Sequence, residues 1–134
     1  MQNARSSARG RSCTVERPIR VLVISQHEVV RCQLVAYLGR SSSLCVTGDE
    51  FSPDAIEQAR PDVLVLDLSR IGPDDLHQAI DAVTRSGGKL IALASLRVPA
   101  DEAAVLAVGG LYRLKSAGAD GLAEVVSAVR PRSG

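Results

Sequence analysis

Asp67 and Lys115 are the two residues of this chain whose type and setting point to charge chemistry. Asp67 is a lone carboxylate delivered by the apolar run Val63–Leu66. Lys115 is the first charge after the segment Leu111–Leu114. A carboxylate and an ammonium placed at the tips of two strands either pin those strands as a satisfied ion pair or form the centre of a site with perturbed charges. Ser25 and Gln26, and Ala94 and Ser95, follow two further apolar runs, so they complete the set of residues to examine.

The elements that must position these residues follow from hydrophobic periodicity. Arg20–Ile24 is a continuous β-branched run, as in a strand covered on both faces. From Glu28 to Arg40, Val30, Leu34 and Leu38 recur one helical turn apart, and Gly39 closes the helix. Leu44–Thr47 reads as a second strand. Ser52, Pro53 and Asp54 read as an N-cap, a first-turn proline and a first-turn acid, opening a helix that runs to Ala59. Val63–Leu66 is the third strand. Pro73 opens a helix with Leu76, Ile80 and Val83 on one face, ending at Gly87 and Gly88. Leu90–Leu93, Asp101–Ala107 and Leu111–Leu114 read as strand, helix and strand. Leu122, Val125, Val126 and Val129 mark the last helix, which Pro131 ends.

Five apolar strands alternating with helices predict an α/β fold, a doubly wound five-stranded parallel sheet with helices on both faces and right-handed crossovers. Ligand chemistry in such a sheet sits at the C-terminal edge. That edge carries Ser25, Gln26, Asp67, Ala94, Ser95 and Lys115.

Composition narrows the function. The chain has 134 residues, which makes one domain, and no apolar run approaches the roughly 18 residues of a membrane span. Its formal net charge is +1, but residues 1–17 hold four arginines against one glutamate, so the remainder is slightly acidic. Residues 1–17 are expected to be a disordered Ser/Arg-rich tail and not a secretory signal. Only 2% of residues are aromatic, a poor basis for a surface that stacks single-stranded nucleic acid. The 3 cysteines lack a CxxC or a paired histidine cluster, which argues against a disulfide scaffold and a zinc site and fits a reducing cytoplasm. Cys32 and Cys45 read as inert thiols. SQHEVV after the first strand offers no glycine-rich phosphate cradle.

The segment PDVLVLDLSRIGPDDL, followed by LYRLK and an amphipathic helix, resembles the receiver domain of bacterial response regulators. IRVLVISQHEVVR resembles the opening of the NarL/FixJ class of that family. The resemblance covers about residues 18–130, with residues 131–134 as a tail or the start of a linker. It implies a flavodoxin-like, CheY-like (βα)5 fold with strand order 2-1-3-4-5. It places Asp67 at the phosphoacceptor position, Lys115 at the lysine that binds a phosphoryl oxygen, and Tyr112 at an aromatic switch position. Ser69 stands where a backbone carbonyl joins the metal ligands, and His27, Gly72 and Asp74 match neighbouring motif positions.

The chain departs from the family at two functions. The acid pair that holds a divalent cation is Ser25-Gln26, both neutral. The hydroxyl residue after the fourth strand is Ala94, and Ser95, one place late, points to the opposite side of a strand-like backbone. A pocket with three carboxylates and one lysine awaits a metal, whereas one carboxylate against one lysine is already neutral. Mg²⁺ prefers hard anionic oxygen ligands, so its binding is expected to be weak or absent. The expectation is a receiver that acts as a signalling and transcription-regulatory interaction module, is not an enzyme, and needs no Mg²⁺-dependent phosphorylation of Asp67. Two alternatives stand beside it: a competent phosphoacceptor, and a sensor of small molecules in the vacated acidic pocket. Expected partners are a second copy or a related response regulator, with a histidine kinase as a further candidate. DNA would be reached only through a domain outside this chain, and no membrane is expected.

Overall fold

The computed structural model describes residues 18–118 and 121–129. The expected tails, 1–17 and 131–134, lie outside the described residues. In chain order the elements are β1 Ile19–Ile24, α1 Glu28–Leu38, β2 Leu44–Asp49, α2 Pro53–Ala59, β3 Val63–Asp67 and α3 Pro73–Arg85. They continue with β4 Lys89–Ala94, α4 Pro99–Ala107, β5 Leu111–Leu114 and α5 Leu122–Ser127. The strands form one sheet in the order β2-β1-β3-β4-β5, every pair parallel, as expected.

Alternation along the strands divides the core in two. Leu22, Ile24, Leu64, Leu66, Leu90 and Ala92 face α2, α3 and α4, where they meet Ile56, Leu76, Ile80, Val83 and Val105. Val21, Val23, Val63, Val65, Ile91 and Leu93 face the other way and meet Leu38, Leu122 and Val126 of α1 and α5. All five residues of β3 are buried. Full burial of such a side chain contributes about 1.5–3 kcal/mol, so the central strand is the most firmly held part of the sheet and its tip is a rigid platform. At the opposite end of the sheet the chain passes close to itself: a Cβ on Gly88 would lie 2.5 Å from the Pro61 carbonyl, which is why glycine opens β4 there.

Local signals set most boundaries. Ser52 caps α2 by accepting the Ala55 N–H at 3.2 Å, with Pro53 in the first turn. The helix expected from Asp101 starts two residues earlier, because the fixed φ of Pro99 suits the first helical position. β2 runs two residues past Thr47, since its parallel pairing with β1 extends to Ile24–Asp49. Lys115–Ala117 form a short 3-10 turn that hydrophobic periodicity does not announce. Cys32 is exposed and free on α1, and Cys45, expected as an inert thiol, is disulfide-bonded.

Register explains how the site assembles. Ile24 lies beside Leu66 across β1 and β3, so the next residues, Ser25 and Asp67, are neighbours at the sheet edge. Asp67 itself lies beside Leu93 of β4, and Ala94 lies beside Leu114 of β5. Lys115 therefore starts one strand beyond β4, and its long stem spans the end of that strand to reach the Asp67 side.

Candidate functional site

Asp67 is fully buried at the tip of β3, and both of its carboxylate oxygens are occupied. Oδ1 accepts the Ser69 backbone N–H at 3.0 Å and pairs with Lys115 Nζ at 2.6 Å. Oδ2 accepts the Ser25 hydroxyl at 2.8 Å. Lys115 also donates to Ser69 Oγ at 2.7 Å, so two of its three N–H donors are used. The expected Asp67–Lys115 contact is thus present, with Ser69 added as a third member. Sequence reading assigned Ser69 only a backbone carbonyl. Its amide and its hydroxyl are what engage the pair.

Burial by itself would push the Asp67 carboxyl upward. The Lys115 ammonium, the Ser69 N–H and the Ser25 hydroxyl all stabilise the ionised form and outweigh burial, holding Asp67 below its ordinary value of 3.8. Asp67 is therefore ionised at neutral pH, and the Asp67–Lys115 pair is charge-balanced.

Ser25 and Gln26 behave differently from one another. Ser25 is buried, and its hydroxyl accepts the His27 N–H at 3.1 Å while facing Asp67. Gln26 is exposed and turns to the segment after β2, where its Oε1 accepts the Phe51 N–H at 2.9 Å. The sequence reading made Lys115 the only cation near the pocket. The structure adds Arg31, whose Nη1 donates to the Ser25 carbonyl at 2.8 Å. The single signal for Arg31 was its place one turn into α1, behind the loop. Glu28, the nearest further acid in the sequence, is exposed. Among the described residues no three His, Cys, Asp or Glu side chains are grouped to hold a metal ion.

The far side of the edge is built from β4, β5 and α4. Ala94 is buried and Ser95 exposed, so the Ser95 hydroxyl does not replace the one that Ala94 lacks. Tyr112, on β5, fastens the loop that follows β4: its hydroxyl donates to the Leu96 carbonyl at 3.0 Å and accepts the Val98 N–H at 3.1 Å. A groove of about 350 Å³ runs between this loop and residues Leu68–Arg70. A smaller, mainly apolar crevice of about 160 Å³ lies on the other side of Lys115, between Val30, Leu34, Leu93, Leu114 and Leu122.

No protein-family model matches the chain. A stretch of 55 residues is 42% identical to the response regulator protein VraR of Staphylococcus saprophyticus, covering 38% of this chain and 26% of that protein. The match thus spans about a quarter of the curated relative. The structure is similar to the signal receiver domain of NarL from Mycobacterium tuberculosis, with a TM-score of 0.67 and 25% identity over 82% of this chain and 94% of that one. It also shares its fold with a LuxR-family DNA-binding response regulator from Staphylococcus aureus (TM-score 0.67, 18% identity, 83% of this chain and 98% of that one). The response regulator domain of Thermotoga maritima CheB has the same fold (TM-score 0.68, 20% identity, 87% of this chain and 99% of that one). Five parallel strands in this order, with an aspartate at the tip of the third and a lysine after the fifth, define the receiver class. The chain has the fold of response-regulator receiver domains, and the proteins it is similar to are response regulators, among them NarL and VraR. Among the described residues no helix is long and apolar enough to cross a membrane.

Proposed function

We propose that this receiver holds its signalling surface without Mg²⁺-dependent phosphorylation of Asp67, and acts by contacts and not by turnover. The observation that carries this reading is the occupancy of the Asp67 carboxylate. One oxygen is shared by Lys115 and the Ser69 amide, and the other accepts the Ser25 hydroxyl, so each already holds a protein contact that an incoming phosphoryl group would have to displace or crowd. Phosphoryl transfer depends on positioning and on neutralising the charge of the group in flight, which metal ions supply. The residues here do not fit Mg²⁺, an ion that takes carboxylate oxygens in near-octahedral geometry. The pocket offers one carboxylate already paired with lysine, a serine hydroxyl committed to it, and a glutamine turned to Phe51. Incubating the protein with acetyl phosphate and Mg²⁺ and weighing it intact is expected to show no adduct. A stoichiometric phosphate that disappears in Asp67→Asn would establish the competent phosphoacceptor instead.

The partner in this reading is a second copy of the chain or a related response regulator, docking on the α4–β5 face. Five of the six large exposed hydrophobics lie there: Leu96, Val98, Leu106, Val108 and Leu111, from 40% to 76% exposed. Exposed apolar side chains on α4 and the segments flanking it offer an interaction surface, and β5 is an edge strand. Light scattering is expected to show a dimer whose formation ignores phosphodonor, and Leu106→Lys with Leu111→Lys is expected to give monomer. A wild-type protein that stays monomeric across the concentration series would remove the homodimer from this reading.

A further inference from the structure

The β1–α1 loop carries a feature that neither the fold nor the Asp67–Lys115 pair requires. Arg31 sits one turn into α1, and its guanidinium turns back past the helix N-terminus to the carbonyl of Ser25, at 2.8 Å. A cation is electrostatically disfavoured at a helix N-terminus; α1 has no side-chain cap at His27, and Glu28 is the acid of its first turn. The arginine is held there by two contacts. Its stem lies across β2 at Gly48, where a Cβ would come within 3.0 Å of Arg31 Cγ and 2.8 Å of Val35 Cγ2, so glycine is what leaves room for the stem. Its head donates from Nη1 to the carbonyl of Ser25, the residue just past the end of β1.

Ser25 is fixed from four directions as a result. Its N–H donates to the Asp49 carbonyl at 3.2 Å, its carbonyl accepts from Arg31, and its hydroxyl oxygen accepts the His27 N–H at 3.1 Å. The one proton on that hydroxyl is then free for an acceptor. Asp67 Oδ2, an ionised acceptor at 2.8 Å, is closer than the His27 carbonyl at 3.3 Å. Release of the carbonyl would let the peptide after Ser25 rotate and carry the hydroxyl off Asp67. We infer that Arg31 is the positioning residue of this site: by gripping the Ser25 carbonyl it keeps the Ser25 hydroxyl seated on Asp67 and that oxygen closed. The inference rests on the reading of Asp67 as a closed carboxylate, and it names the residue that keeps it so.

Amide hydrogen exchange separates this role from general support of the fold. Arg31→Met keeps the stem over Gly48 and removes the donors. The His27 amide, bonded to Ser25 Oγ, is expected to exchange about 3- to 10-fold faster in this variant, the range given by losing one ordinary hydrogen bond. Exchange at Leu64 and Leu66 in β3 is expected to stay at wild-type rates. Ser25→Ala should accelerate His27 by itself, and adding Arg31→Met to it should accelerate it no further, because both changes act through one contact. Arg31→Lys, which keeps a cation but loses the planar fork, should fall between wild type and Arg31→Met, and it carries the test by itself if Arg31→Met does not fold. Wild-type exchange at His27 in Arg31→Met or Arg31→Lys, equal acceleration in β3, or full additivity with Ser25→Ala would each overturn the assignment. These outcomes are independent of phosphorylation. An adduct on wild-type Asp67 would defeat the closed-carboxylate reading while the exchange rates still decided what Arg31 does.

Discussion

Asp67→Asn is expected to lower stability by about 1–2 kcal/mol, where relief of carboxylate crowding would raise it in a pocket holding three acids. The asparagine is nearly isosteric: its Oδ1 can keep the Ser69 N–H, while its Nδ2 must donate to Ser25 Oγ, reversing that bond. What it removes is the charge that balances Lys115, which sits 2.6 Å from Oδ1 with 30% of its side chain exposed. Truncating one member of a fully buried pair costs about 3–5 kcal/mol, and the partial exposure of Lys115 lets water recover part of it. The pH dependence has a definite sign. The folded value of Asp67 lies below its ordinary 3.8. Its contribution to stability is therefore present at every pH above that ordinary value and is lost as pH falls through the lower folded value. Wild type and Asp67→Asn should differ in chemical-denaturation midpoint at pH 7 and converge in acid. Millimolar Mg²⁺ should move neither midpoint, since a ligand stabilises only the state it binds. A more stable asparagine variant, or a rise with Mg²⁺, would mean that a second acid shares the pocket.

The largest effect is expected from putting the acids back. Ser25→Asp with Gln26→Asp places two further carboxylates at the edge where Asp67 is already buried, and the local charge falls from zero to −2 against Lys115. The Ser25 position is itself fully buried, so the new carboxylate also loses its water. Without metal, this double variant should be less stable than wild type by about 2–4 kcal/mol. Mg²⁺ at ten to a hundred times its dissociation constant should return roughly 1.4–2.7 kcal/mol. Thermal melts with and without Mg²⁺ measure both halves. A double variant as stable as wild type in EDTA would show that the neutral residues are not what balances this pocket. A variant that is destabilised but indifferent to Mg²⁺ would show that more than the acid pair has changed in the metal site.

The sequence alone determined the sheet and its order of elements. The β-branched runs Val63–Leu66 and Leu90–Leu93, the proline starts at Pro53 and Pro73, and the glycine stops needed only local periodicity and capping, because each element's apolar face is written into its own residues. Asp67 and Lys115 were legible for the same reason: each is the first charge after an apolar run, and strand tips at one sheet edge must converge. Ser25 and Gln26 were legible as a neutral pair, but their divergence was not. Whether a side chain at a strand end turns in to Asp67 or out to Phe51 depends on neighbours 42 and 25 positions away. Ser69 and Arg31 were visible as residues and silent as functions. The Ser69 hydroxyl meets Lys115 across 46 positions, and the Arg31 guanidinium reaches Ser25 only because Gly48 of another strand leaves space for its stem. Periodicity along a chain reports which face a residue is on. Hydrogen bonds between the ends of different strands depend on register and on the volume of a third element, and those exist only once the sheet has formed.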